Sequence, residues 1–177
     1  FAPAGVFVRV FAEMGIEISR REAREPMGLH KRDHIRVISH MERVAAAWIQ
    51  QHGRPCGEAD VEAMFERFVP LQLEVLADHA ELIAEVPLAQ ASFRRRGLAI
   101  GTTTGYNREM MDVLVPRAKR QGYEPDHVVC ASEVPAGRPA PWMALRNAEY
   151  LGIYPLESCV KIGDTPSDIS EGLNRSE

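Results

Sequence analysis

The hydrophobic periodicity of this chain changes character near residue 80, and that switch limits what it can fold into. From Pro3 to about Asp78 the apolar residues recur at helical spacing. Val6, Val10 and Met14 share one face with Phe7 and Phe11 beside them, and Gly15 stops that run. Ser19 with Glu22 spells a capping box for a short helix ending before Pro26. Helical spacing returns over Lys31 to Ser39, then through Val44, Ala47, Trp48 and Gln51 up to Gly53. It returns again from Glu58 to Leu76, with a kink expected at Pro70. Trp48, Phe65 and Phe68 read as packing residues of a helix bundle. After residue 80, helices expected at Pro87 to Arg96, Arg108 to Gln121 and Pro141 to Leu151 alternate with short apolar strands. Those strands are expected at Leu98 to Thr103, Val128 to Ala131 and Cys159 to Ile162. Such alternation argues for an α/β fold with a parallel, doubly wound sheet. The reading is an all-helical domain at 1–78 and a partial α/β core at 79–177.

Each strand of the second half ends in chemistry. Val160-Lys161-Ile162-Gly163-Asp164-Thr165-Pro166-Ser167-Asp168 runs an apolar strand into two carboxylates, with Gly163 expected to permit a sharp turn. Thr165 or Ser167 can cap the helix that follows. Asp164 and Asp168 at the carboxyl edge of a parallel sheet suit Mg²⁺, which takes one or two carboxylates along with phosphate oxygens and water. The same residues serve equally as an acidic loop capping a helix. Thr102, Thr103 and Thr104 before Gly105 give hydroxyls at a strand end, directly before a helix opened by Asn107, which suits an anion; an ordinary β-to-α turn uses the same residues. Arg138 stands in a loop stiffened by Pro135, Pro139 and Pro141, and a rigidly mounted guanidinium suits a phosphoryl group. Thr104, Arg138 and Asp164 thus follow three successive strand ends.

Composition narrows the classes. The 177 residues carry a formal net charge of −4, with 45% hydrophobic and 26% charged residues. A globular chain with no basic footprint is expected, without nucleic acid as partner. No apolar stretch approaches the roughly 20 residues that cross a bilayer, so no membrane partner is expected. Cys56, Cys130 and Cys159 fit reduced thiols, and a cytoplasmic location is the expectation. His30, His40, His52, His79 and His127 show no ligand spacing. The chain opens on Phe1 rather than Met, so its natural start is expected to lie upstream.

The order of these motifs resembles the haloacid dehalogenase superfamily of aspartyl-phosphate phosphotransferases. In that family a strand-end Thr or Ser is matched by Thr104, a Lys or Arg by Arg138, and an acidic pair on Mg²⁺ by Asp164 and Asp168. The first motif, Asp-x-x-x-Thr with the nucleophilic aspartate, has no counterpart in these residues. Three stretches sharpen the likeness to the phosphonatase family: Pro26 to His34, Thr103 to Asp112, and Val134 to Met143. It runs from Phe1 to about Glu171 and fades over Gly172 to Glu177.

That resemblance implies a helical cap on a dehalogenase-like core, hydrolysis of the C–P bond of phosphonoacetaldehyde, and a homodimer formed through the cap. It makes Lys31 the lysine that forms an imine with the substrate aldehyde, which requires a neutral amine and a pKa below the ~10.4 of free lysine. His34, at i+3, becomes a proton shuttle, Met27 and Gly28 line the substrate pocket, and Tyr106 lies near the active site. Without the resemblance, Lys31 beside Arg32 and Asp33 reads as a solvated helix face. A phosphatase of the same superfamily acting on another ester, or a non-catalytic fragment of such an enzyme, is the rival reading.

Overall fold

The computed structural model describes residues 2–174. They form two compact units that divide between His79 and Ala80. Arg175 to Glu177, at the end of the stretch where the family resemblance fades, lie outside the described residues.

The first unit is helical: α1 (Ala2–Glu13), α2 (Arg20–Arg24), α3 (Lys31–His40), α4 (Glu42–His52) and α5 (Glu58–Leu76), followed by a 3-10 turn. Local chemistry sets most of these ends. The Ser19 side chain accepts from the Glu22 backbone while Glu22 reaches back to Ser19 N at 2.7 Å, closing the capping box of α2. Gly53, at φ 70°, ends α4 in the left-handed conformation that favours glycine. α5 runs through Pro70 as one helix. The core gathers Phe7, Phe11, Ile16, Ile35, Ile38, Trp48, Phe68 and Leu71, all buried. Phe7 lies between two rings, its centroid 3.9 Å from His34 and 4.5 Å from Phe68. Phe65 packs at the margin instead, 5.6 Å from the His30 ring.

The second unit alternates: α6 (Val86–Arg95), β1 (Gly101–Thr104), α7 (Arg108–Arg120), β2 (His127–Cys130), α8 (Trp142–Tyr150) and α9 (Pro166–Leu173). β1 and β2 pair in parallel, with Thr104 opposite Cys130. Parallel neighbours joined by a helix form the βαβ unit expected from the alternation. Asn147 on α8 fastens the sheet: its Nδ2 donates to Thr102 O at 3.1 Å, and its Oδ1 meets His127 Nδ1 at 2.9 Å. A Cβ on Gly101 would collide with that amide. Val129, Ala131 and Met143 form the small core, with Val134 against it.

One sequence expectation needs correction. Cys159 to Ile162 is not a strand; among the described residues the sheet has two strands, β1 and β2. Strand formation requires a backbone ladder beside the segment, and an apolar run does not supply one. Val160 and Ile162 accordingly stand 85% and 71% exposed. Gly163 stands directly before the bend at Asp164 and Thr165. It is not among the glycines with positive φ. Its missing Cβ instead makes room for Asp168, whose Cβ and Cγ would overlap any side chain placed there.

Candidate active site

Four of the residues singled out from sequence lie in the first unit. Lys31 opens α3 and is only 5% exposed, so it is not a solvated helix residue. Its Nζ stands 5.9 Å from the centre of the Phe7 ring. His34, one turn later, is fully buried against that ring. Its Nε2 lies 2.9 Å from Ala23 O, so this nitrogen carries the proton and donates. Nδ1 is then a buried lone pair with no partner among the described residues. Burial first, then the neighbouring Lys31 charge, lowers the His34 pKa to about 3, against a weaker upward pull from the Ala23 carbonyl. Met27 and Gly28 occupy the half-buried turn between α2 and α3, where Gly28 takes φ 99°. Helical spacing and this turn thus bring Lys31 and His34 to the same aromatic core.

The others lie in the second unit. Thr104 ends β1, and its Oγ1 accepts the Tyr106 N–H at 3.1 Å. Burial raises the Tyr106 phenol pKa to about 12, so the group stays protonated. Arg138 meets Thr103, the neighbour of Thr104. Nη2 donates to Thr103 O at 2.7 Å and to Thr103 Oγ1 at 2.8 Å, and Nη1 lies 3.2 Å from Asp168 Oδ1. Successive strand side chains face opposite ways, which is why the two threonines part company.

Asp164 and Asp168 also differ. Thr165 caps α9, and Asp168 Oδ2 completes a capping box by accepting the Thr165 backbone N–H at 3.3 Å; Thr165 Oγ1 also donates to that oxygen, at 2.6 Å. Asp168 Oδ1 receives Lys161 Nζ at 3.0 Å as well as Arg138. Burial pushes the Asp168 pKa up, but the hydrogen bonds from Thr165 and Lys161 and the Arg138 charge outweigh it and hold the carboxyl below its usual value. Both Asp168 oxygens are therefore occupied by donors. Asp164, before the cap, is exposed. Hard-oxygen chemistry for Mg²⁺ thus fits Asp164, whereas Asp168 faces cations already. Among the described residues no group of three His, Cys, Asp or Glu side chains is arranged to hold a metal.

Sequence reasoning missed three members of this cluster: Thr103, Lys161 and Glu171. Lys161 Nζ stands 3.0 Å from Thr103 Oγ1 and 2.9 Å from Glu171 Oε2. Glu171 Oε2 also takes Arg138 Nε at 3.0 Å. The available signals were a lysine inside an apolar run and a glutamate at i+3 from Asp168, on the same helix face.

The βαβ unit, the loop arginine and the acid-capped turn before α9 are in keeping with a dehalogenase-like α/β fold. A family model for haloacid dehalogenase-like hydrolases matches residues 4–174, and the chain belongs to that family. Within it, the chain is 47% identical over 174 residues to phosphonoacetaldehyde hydrolase of Bacillus cereus (strain B4264), covering 98% of this chain and 66% of the relative. It is 51% identical over 173 residues to phosphonoacetaldehyde hydrolase of Syntrophobacter fumaroxidans, covering 98% of this chain and 62% of that one. Among solved structures, a phosphonoacetaldehyde hydrolase-like protein from Oleispira antarctica superposes with a TM-score of 0.94 at 37% identity, over 97% of this chain and 62% of that protein. The chain therefore spans a little under two thirds of the length of the curated relatives it matches.

Proposed function

We propose that this chain supplies the imine lysine and the phosphoryl-binding side chains of a phosphonoacetaldehyde hydrolase. The observation that carries the reading is Lys31. It is buried beside a buried neutral histidine in the helical unit, where a solvated helix residue would have no reason to lie. The identity to phosphonoacetaldehyde hydrolases supports the same substrate.

In this reading Lys31 Nζ adds to the aldehyde carbon and water leaves, giving a protonated imine. An aspartate outside this chain attacks phosphorus, the C–P bonding pair moves onto carbon, and the imine accepts it as an enamine. A proton added to the enamine carbon restores the imine, and water then hydrolyses the imine to acetaldehyde and free Lys31 and the acyl phosphate to phosphate and free aspartate. His34 serves as a transient proton acceptor through Nδ1, because its low pKa disfavours a resident imidazolium. Met27 and Gly28 line the aldehyde side. Thr104, Arg138 and Tyr106 belong to the phosphoryl side, where Arg138 offers positive charge to the oxygens of the phosphoryl group in transfer. Mg²⁺, held through Asp164, would supply further positive charge for the phosphoryl group. In this reading the protein acts in the cytoplasm, in keeping with its free cysteines, and pairs with a second copy through its helical unit, as the resemblance implies.

Lys31→Arg in the intact protein tests this. Arginine keeps the charge but stays protonated and forms no imine. Hydrolysis of phosphonoacetaldehyde should fall by about a thousandfold or more, while circular dichroism stays unchanged. Borohydride with substrate should trap a covalent adduct on the native protein and none on the variant. Near-native hydrolysis by a folded variant would sink the imine and leave a phosphatase acting on another ester.

A further inference from the structure

We propose that Glu171 and Lys161 are positioning residues of the phosphoryl site: together with Thr103 they lock the Arg138 guanidinium in place. The inference rests on the reading of Arg138 as a phosphoryl-binding group.

The geometry assigns each partner a fixed task. An ammonium has three donors. Those of Lys161 point to Thr103 Oγ1 at 3.0 Å, Asp168 Oδ1 at 3.0 Å and Glu171 Oε2 at 2.9 Å, so Lys161 keeps none for an incoming anion. A threonine hydroxyl has one donor and two acceptor positions. Thr103 Oγ1 donates to Glu171 Oε2 at 3.1 Å and accepts from Arg138 and Lys161, which fills all three. Glu171 is the hub: its side chain is wholly buried, and Oε2 alone receives Arg138, Lys161 and Thr103. Its Oε1 is buried without a hydrogen-bond partner among the described residues.

The orphaned oxygen argues against stability as the reason for this arrangement. Buried ion pairs are poor stabilisers, and an apolar set of similar volume often serves a fold as well or better. A planar guanidinium held at Nε by Glu171, at Nη1 by Asp168 and at Nη2 by Thr103 cannot rotate or retract, which a phosphoryl contact requires. Without the Glu171 charge, two buried cations would share Asp168 alone. Their repulsion would drive Arg138 off the end of β1.

A double-mutant cycle on the affinity for inorganic phosphate tests this in the intact protein, by calorimetry in magnesium-containing buffer. Glu171→Gln should weaken phosphate binding by about tenfold or more, the scale of one charge-assisted hydrogen bond. In an Arg138→Ala background the same substitution should change affinity by less than about twofold, because the group it positions is gone. Melting temperatures recorded alongside separate folding from positioning. Should Glu171→Gln fail to fold, Lys161→Gln carries the same cycle. Additive losses, unchanged phosphate affinity in the single variant, or a wild-type protein that binds no phosphate would each overturn the inference. Absence of phosphonoacetaldehyde hydrolysis with the coupling intact would instead remove the substrate reading and leave the positioning role in place.

Discussion

His34 gives its Nε2 proton to the Ala23 carbonyl and, through burial and the nearby Lys31 charge, holds its pKa near 3. An unfolded chain would titrate the same imidazole at about 6.5. The folded value is the lower one, so the unfolded state binds more protons between the two. The stability this histidine contributes is therefore complete above pH 6.5 and is lost as pH falls from 6.5 toward 3. One proton corresponds to about 1.4 kcal/mol per pH unit, so unfolding free energy should drop by about 2 kcal/mol between pH 6.5 and pH 5. Glu22 and Asp60, each held near 2 by an arginine, lose their contributions only further into acid. His30, also lowered by burial, adds to the slope with the same sign. Urea titrations at the two pH values should show most of the slope vanish in His34→Gln. An unchanged slope would mean that another group drives the acid loss.

At the scale of an element, the turn into α9 packs more tightly than its composition suggests. Thr165 caps the helix, Pro166 opens it, and Asp168 seals the box with its side chain pressed over Gly163. Gly163→Ala must displace Asp168 or the backbone. Overpacking of this kind costs about 1–3 kcal/mol, and a clearly lower melting temperature should report it. A variant melting with the wild type would show that Asp168 swings aside freely. Helix ends of this sort were legible in the sequence because their signals are local. Ser19 with Glu22, Gly53 and Asn107 each sit within four residues of what they cap. The site was legible only in part, because its determinants are not local. Three consecutive threonines cannot reveal which one meets the arginine until strand alternation sends Thr103 to Arg138 and Thr104 to the Tyr106 N–H. An apolar run likewise cannot announce whether a neighbouring strand lies beside it, and Cys159 to Ile162 stands without one among the described residues.

At the scale of the whole molecule, apolar surface in the second unit is the main liability. Val160 and Ile162 face solvent in the segment that leads to α9, and Ile169 and Leu173 are exposed on α9. Exposed apolar groups of this kind mark surfaces that associate. The 177-residue chain should therefore self-associate at micromolar concentration. Replacing Val160 and Ile162 together with lysine should reduce that association in sedimentation experiments without lowering the melting temperature. Equal association by the double variant would place the contact elsewhere. The charges behave differently with distance. Arg138 and Lys161 are matched by Asp168 and Glu171, so the cluster is formally neutral, while the chain as a whole carries −4. Seen from afar, such a cluster presents only higher multipoles, whose field fades within a few ångströms, and the net charge mildly repels an anion. An anion bound at Arg138, as proposed, is therefore captured at contact rather than steered in, and its association rate should depend little on ionic strength.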